Sequence, residues 1–198
     1  MSGFTVVVTG ASGSVYGLRL VERLLASGSE VTFIATRAGR EVMAAETGFS
    51  LPETSAAEAV LRYLELEAGL PLRVVGPEES FDRVASGSSA ADAMIVCPAS
   101  MGFVAAVAGG LASNLPERAA DVMLKERLPL VFVPRETPLS LVHLRNMTSL
   151  AEAGAVIVPA MPAFYHRPQT LDDQVNFVVG KVLDILGVEH SLFRRWGE

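Results

Sequence analysis

The stretch VVVTGASGSVYG, residues 6–17, passes from a β-branched run into glycines and small hydroxyl residues, and then into an apolar, helix-like segment. That succession predicts a buried strand, a tight turn and the start of a helix. Gly10, Gly13 and Gly17 allow the backbone to turn sharply, while Thr9, Ser12 and Ser14 place hydroxyl groups beside the unpaired N–H groups of a helix start. The combination makes an anion cradle. A bare strand-to-helix turn that holds nothing is the competing reading.

The same architecture extends along the chain. Short apolar runs at 4–8, 30–35, 72–75, 93–96, 128–133 and 155–158 read as strands buried on both faces of a sheet. Helical spacing covers 16–26, 39–47, 56–68, 118–127, 139–153 and 171–186. The expected fold is a doubly wound α/β sandwich with a mainly parallel sheet, a single domain over 1–198 with a C-terminal tail from about 187. Ligands in such folds bind beyond the carboxyl ends of the strands, which directs attention to TGASG, TRAG, CPASMG, PRETP and PAMPAFYHRP. Residues 51–55 and 76–89 read as loops, the second long enough to be functional.

Nucleotide chemistry is narrowed by what the glycine loop lacks. Its spacing, G-x-x-G-x-x-x-G, is not the dinucleotide fingerprint G-x-G-x-x-G, and it misses the T-G-x-x-G-x-x-G loop of extended short-chain dehydrogenases by one residue. None of Tyr16, Tyr63 and Tyr165 is followed four positions later by lysine. Thr36 and Arg37 stand where an acidic residue would meet a ribose, and Arg37 leaves an NADP reading open. A formal net charge of −6 argues against a nucleic-acid surface. The opening residues do not resemble a signal peptide and no window suits a membrane span, so a soluble cytoplasmic protein is expected. Cys97 has no disulfide partner and reads as a small buried hydrophobe, and His143, His166 and His190 lack metal-ligand spacing, so no metal is expected.

Charged residues cluster in the second half. Arg118 and Lys125 lie seven apart and share a helix face, on which Asp121 is expected to pair with Lys125 and Glu117 to offset Arg118. Arg135 and Glu136 follow a strand between Pro134 and Pro138, where a guanidinium suits a phosphate and a carboxylate suits proton transfer. Tyr165, on the last strand-end loop, offers a hydroxyl to an anion; His166 beside it reads as a surface or capping residue, and His143 as packed.

TGASGSVYGLRL, SGSSA, AADVMLKERLPLVFVPRETPLSLVHLRNM, GAVIVPAMPAFYHRPQT and RRWGE together resemble the flavin prenyltransferases of the UbiX type, formerly labelled aromatic-acid decarboxylases. The resemblance runs nearly end to end and is weakest over residues 51–82. It implies a protein that binds reduced FMN, attaches to it the dimethylallyl group of dimethylallyl monophosphate without a metal, and supplies prenylated FMN to a partner decarboxylase. It also implies a homododecamer of stacked trimers. By motif, Gly10, Ala11, Ser12, Thr36, Ser100, Met101, Phe103 and Arg135 would line the flavin; Ser12, Glu46 and Glu136 would border the reaction centre. Arg118, Lys125, Arg135, Tyr165 and Lys181 would hold the prenyl phosphate, with Trp196 adding an apolar wall from a neighbouring chain. Three positions depart from the family pattern, the first being Ala99, which stands where the family carries a cysteine. Phe103 replaces a threonine and either crowds the flavin or exchanges a hydroxyl contact for packing, and Lys181 replaces an arginine, keeping charge without the two-pronged grip. Alternatives are an FMN-dependent cysteine decarboxylase, which would want a histidine near Tyr16, and a non-enzymatic FMN carrier.

Overall fold

The computed structural model describes residues 2–197, so Glu198, the last residue of RRWGE, lies outside the described residues. Its six strands are β1 (Gly3–Val8), β2 (Glu30–Ala35), β3 (Leu72–Val75), β4 (Ala93–Ala99), β5 (Leu130–Pro134) and β6 (Val156–Ile157). They form one wholly parallel sheet in the order β3-β2-β1-β4-β5-β6. The chain thus starts in the middle, builds to one edge, and crosses back from β3 to β4. The reversal parts the loops that leave β1 and β4, which opens a crevice at their carboxyl ends.

Alternation along each strand feeds two cores. Phe4, Val6, Val8, Ile95 and Cys97 face α1 (Ser14–Ala26), α2 (Arg37–Thr47), α3 (Ala56–Tyr63) and α7 (Leu171–Leu186). Val7, Met94, Val96 and Phe132 face α4 (Met101–Ala108), α5 (Leu115–Lys125) and α6 (Leu141–Glu152). Burial on both faces is why these strands read as continuous apolar runs rather than as alternating ones. No helix among the described residues is long and apolar enough to cross a membrane.

Several boundaries differ from the sequence expectation, each for a local reason. α4 has no counterpart among the helices read from the sequence; Ser100 caps it by accepting from the Phe103 N–H, and the apolar run that follows winds through about two turns. α5 starts at Leu115 rather than 118, because Asn114 accepts from Glu117 N–H and Pro116 sits in the first turn, where its missing N–H costs nothing. α3 stops at Tyr63 because Glu65 takes a left-handed turn at φ 55°. Residues 76–89 are only partly loop: Asp82, paired with Arg73, caps a short 3₁₀ turn over Arg83–Ala85.

The first helix lies tight on the sheet. A Cβ at Gly17 would stand 2.3 Å from the Cys97 carbonyl oxygen and 2.7 Å from a Val8 methyl, both fixed by the strands. Gly17→Ala is therefore expected to destabilise the protein by about 1–3 kcal/mol. Gly102→Ala, which meets open space, should stay within about 0.5 kcal/mol of the parent. Thermal and urea unfolding of both variants check this.

Candidate functional site

Four strand ends are tied into one rim. Thr9 donates through its hydroxyl to the Pro98 carbonyl at 2.8 Å and accepts from the Ser100 N–H at 2.7 Å, locking the β1 loop to the end of β4. Thr36 ends β2, caps α2 by accepting from Gly39 N–H at 3.0 Å, and has its own N–H bonded to the Val8 carbonyl. Arg135, directly after β5, donates from Nε to the Ser12 carbonyl at 3.1 Å. Among the described residues its two terminal nitrogens make no hydrogen bond and remain as donors.

The strongest feature is a carboxylate expected at the rim in a role that was not expected, the cap of a helix. Glu46, in the last turn of α2, accepts from Gly13 N–H with both oxygens at 3.0 Å and from Ser14 N–H at 2.9 Å. Gly13, at φ 109°, precedes α1 without any side-chain cap of its own. Glu46 is thus the cap of α1, an anion on a helix N-terminus. This corrects the reading of the glycine loop as an open phosphate cradle, since the N–H groups of Gly13 and Ser14 are already spent on the protein's own carboxylate. Burial pushes the Glu46 carboxyl up, but hydrogen bonds from Ser12, Ser14 and Gly13 outweigh it and hold the group below the ordinary glutamate value.

Other expected residues fall into place unevenly. Gly10, Ala11, Ser12, Thr36, Ser100, Arg135 and Glu46 share the rim; Ser12 is exposed on it and Ala11 is buried beneath. Glu136 is half-buried beside Arg135 and accepts from Thr137 N–H at 2.9 Å. Met101 and Phe103 are core residues: the Phe103 ring is buried with its centroid 6.3 Å from that of Phe132. The departure at 103 therefore exchanges a hydroxyl for core packing instead of crowding the crevice. Tyr16, considered only as a stand-in for a histidine base, rests its ring against Gly13, where a Cβ would lie 2.8 Å from the tyrosine Cδ2 and 4.0 Å from Arg135 Cγ. Burial, together with Cys97 nearby and against the pull of Arg135, raises its phenol pKa, so it remains protonated. Cys97 itself is buried, and desolvation pushes its thiol far above the usual range, consistent with a packing role.

The expected phosphate ligands do not converge within one chain. Lys125 and Arg118 ride α5, on one face of the sheet, and Lys181 rides α7, on the other. Arg118 pairs with Asp121 at 3.0 Å and Lys125 with Glu126, which reverses the expected Asp121–Lys125 pair; Glu117 instead accepts from Ser113 N–H and from the Asn114 side chain at the head of α5. Lys181 lies 3.4 Å from Asp184. Tyr165 lines a cavity of about 470 Å³ with Arg167, Arg194, Arg195 and Trp196, so Trp196 meets the Tyr165 of its own chain, their centroids 5.0 Å apart. His166 is not a surface residue: its ring stacks on Phe177 at 5.2 Å with both nitrogens buried and unpartnered. His143 is not packed but completes a reciprocal cap with Ser140 at the start of α6. Among the described residues no cluster of histidine, cysteine or carboxylate side chains is placed to hold a metal.

Because the Glu46 pKa lies below its unfolded value of about 4.3, the stabilisation it contributes is complete above that value and is lost as pH falls through the depressed folded pKa. Glu46→Gln should be less stable than the parent at pH 7, by up to about 1 kcal/mol, as for a weakened helix cap. The difference should shrink below about pH 4. Urea unfolding of the two proteins across pH 3–7 tests the sign and the window.

The family model for flavoproteins matches residues 2–183. The flavin prenyltransferase UbiX of Pseudomonas aeruginosa is 50% identical, over 100% of this chain and 97% of its own. Among solved structures, a dodecameric FMN-dependent UbiX-like decarboxylase from Escherichia coli O157:H7 superposes with a TM-score of 0.87 at 38% identity, covering 99% of this chain and 100% of that one. AnUbiX in complex with FMN and dimethylallyl pyrophosphate gives 0.88 at 35% identity, over 100% and 98%. Fold, strand order and end-to-end identity agree: the chain belongs to the flavoprotein family, in its UbiX-type flavin prenyltransferase branch.

Proposed function

We propose that the protein, working as one domain, is a metal-independent flavin prenyltransferase that joins the dimethylallyl group of dimethylallyl monophosphate to reduced FMN, and that a decarboxylase receives the prenylated FMN. The observation that carries this reading is the meeting of Ser12, Glu46 and Arg135 on one rim, in a chain half identical from end to end to a flavin prenyltransferase. The neighbours named as cysteine decarboxylases are 17–21% identical and support the fold alone.

The rim fits a flavin. Gly10 passes so close to α2 that a Cβ would stand 2.7 Å from the Ala38 methyl, which leaves a side-chain-free ledge. Thr36 and Ser100 hold the adjoining loops through their caps, and Arg135 brings unspent donors to the flavin side. Met101 and Phe103 support this wall from beneath and offer only backbone to it. Reduced FMN supplies the electron-rich ring atoms that take up the allylic carbon.

The residues do the rest. As the allylic C–O bond breaks, its electron pair leaves with the phosphate, so cations at that end stabilise the developing charge. Arg135 and Glu136, presented after β5, and Tyr165 with Lys181 border it. Ser12 and Glu46, neighbours on the rim, are the pair suited to hold or move a proton at the flavin face. Arg118 and Lys125 reach the same phosphate only from a second copy, because their own sheet separates them from Lys181. The site is thus completed between subunits, in keeping with a homododecamer like the one named for the E. coli structure. Much of α6 is apolar yet exposed, at Leu141, Val142 and Leu144, which supplies surface for such contacts.

Anaerobic incubation with reduced FMN and either dimethylallyl monophosphate or the diphosphate, read by mass spectrometry of the flavin, tests the proposal. A flavin heavier by one prenyl group is expected, with the monophosphate preferred. Arg135→Ala should slow conversion about a hundredfold or more, and Ser12→Ala should impair conversion more than FMN affinity. Lys181→Arg should use the donor as well as the parent or better. No adduct from either donor, or parental turnover in Arg135→Ala, overturns the assignment.

A further inference from the structure

The segment after α7 is built onto that helix with more care than a chain end needs. Asp184, near the end of α7, receives both arms of Arg195, at 2.8 and 3.2 Å, together with His190 Nε2 at 3.1 Å and Lys181 Nζ at 3.4 Å. Leu192 N–H donates to His190 Nδ1 at 3.2 Å, so the ring proton sits on Nε2 and points at Asp184. Gly180 makes room for the arrangement: a Cβ there would stand 2.5 Å from the Phe193 ring and 2.7 Å from the His190 ring. Phe193 packs on Phe177 at 4.9 Å, with the Arg195 guanidinium 5.7 Å above it.

The next residue is Trp196, whose ring stands edge-on to Tyr165 and lines the cavity of about 470 Å³. Chain connectivity leaves Trp196 little freedom once Arg195 is gripped. A bidentate arginine–carboxylate pair fixes direction as well as distance, which a lone lysine contact does not.

We propose that Asp184 is a positioning residue for the donor pocket: by clamping Arg195 and His190 it seats Trp196 against Tyr165. Asp184 itself touches no reactant. Hydrogen bonds from Arg195, acting against burial and aided by His190, hold its carboxyl down to about 2, so the clamp stays charged at working pH. The assignment of the pocket to the prenyl donor rests on the function proposed above, whereas the seating of Trp196 does not.

Trp196 is the chain's one tryptophan, so its emission reports on the clamp alone. Trp196 is already 80% exposed, so its mobility and not its polarity is the readout: Asp184→Asn and Arg195→Ala are each expected to lower the anisotropy of Trp196 emission. FMN affinity should stay within about twofold of the parent, while the KM for dimethylallyl monophosphate rises about tenfold or more, the scale expected when a binding group is misplaced by an ångström. Asp184→Glu, which keeps the charge, should recover part of both signals. Unchanged anisotropy of that emission in both variants overturns the clamp. A donor KM within twofold of the parent overturns its role in the pocket, as does a parallel loss of FMN affinity. A parent that makes no prenylated flavin while the anisotropy falls as expected in the variants overturns the prenyltransferase reading and leaves the clamp standing.

Discussion

The contact between Glu46 and the first turn of α1 is the constraint on which the site depends. A helix N-terminus presents N–H groups and a positive end that must be met by something. Here it is met by a carboxylate from another helix, 33 positions away from Gly13. One interaction therefore fixes the β1 loop, docks α2 beside α1 and leaves Ser12 exposed on the rim. Arg135 donates to the Ser12 carbonyl of that loop, so two charged groups from distant elements hold the turn.

That arrangement explains why the loop is rich in glycine and serine without being an open phosphate nest. Small residues are needed because Gly13 has a left-handed backbone, Gly10 grazes Ala38 and Gly17 lies against Cys97. The composition that suggests an anion site is the same composition that close packing requires, and spacing cannot separate the two. What separates them is a distant glutamate.

The sheet was legible because strands buried on both faces leave continuous apolar runs, and all six were expected where they stand. α4 was missed because MGFVAAVA is apolar all round and carries no helical stripe; its one local signal is Ser100 just ahead of it. The rim residues followed from motif resemblance and strand-end logic together. Asp184, His190 and Arg195 were not found, since no spacing rule links a helical aspartate to a residue eleven positions on in a tail without regular structure. His166 misled for a physical reason as well: a loop bounded by prolines suggests exposure, yet aromatic neighbours from α7 and the tail cover the ring.

The placement of Lys125 and Lys181 on opposite sides of one sheet has a consequence for inheritance and dosage. If every phosphate site draws its α5 cations from one copy and its α7 lysine from another, a defect in either element spoils a different half of each site. Mixed assemblies of two differently damaged chains then contain some sites built wholly from sound halves, and partial activity returns where neither chain alone has any. Conversely, one damaged chain among sound ones touches more than one site. On the proposed sharing of ligands between copies, assembly, and not folding of the single chain, would be the step that completes each site.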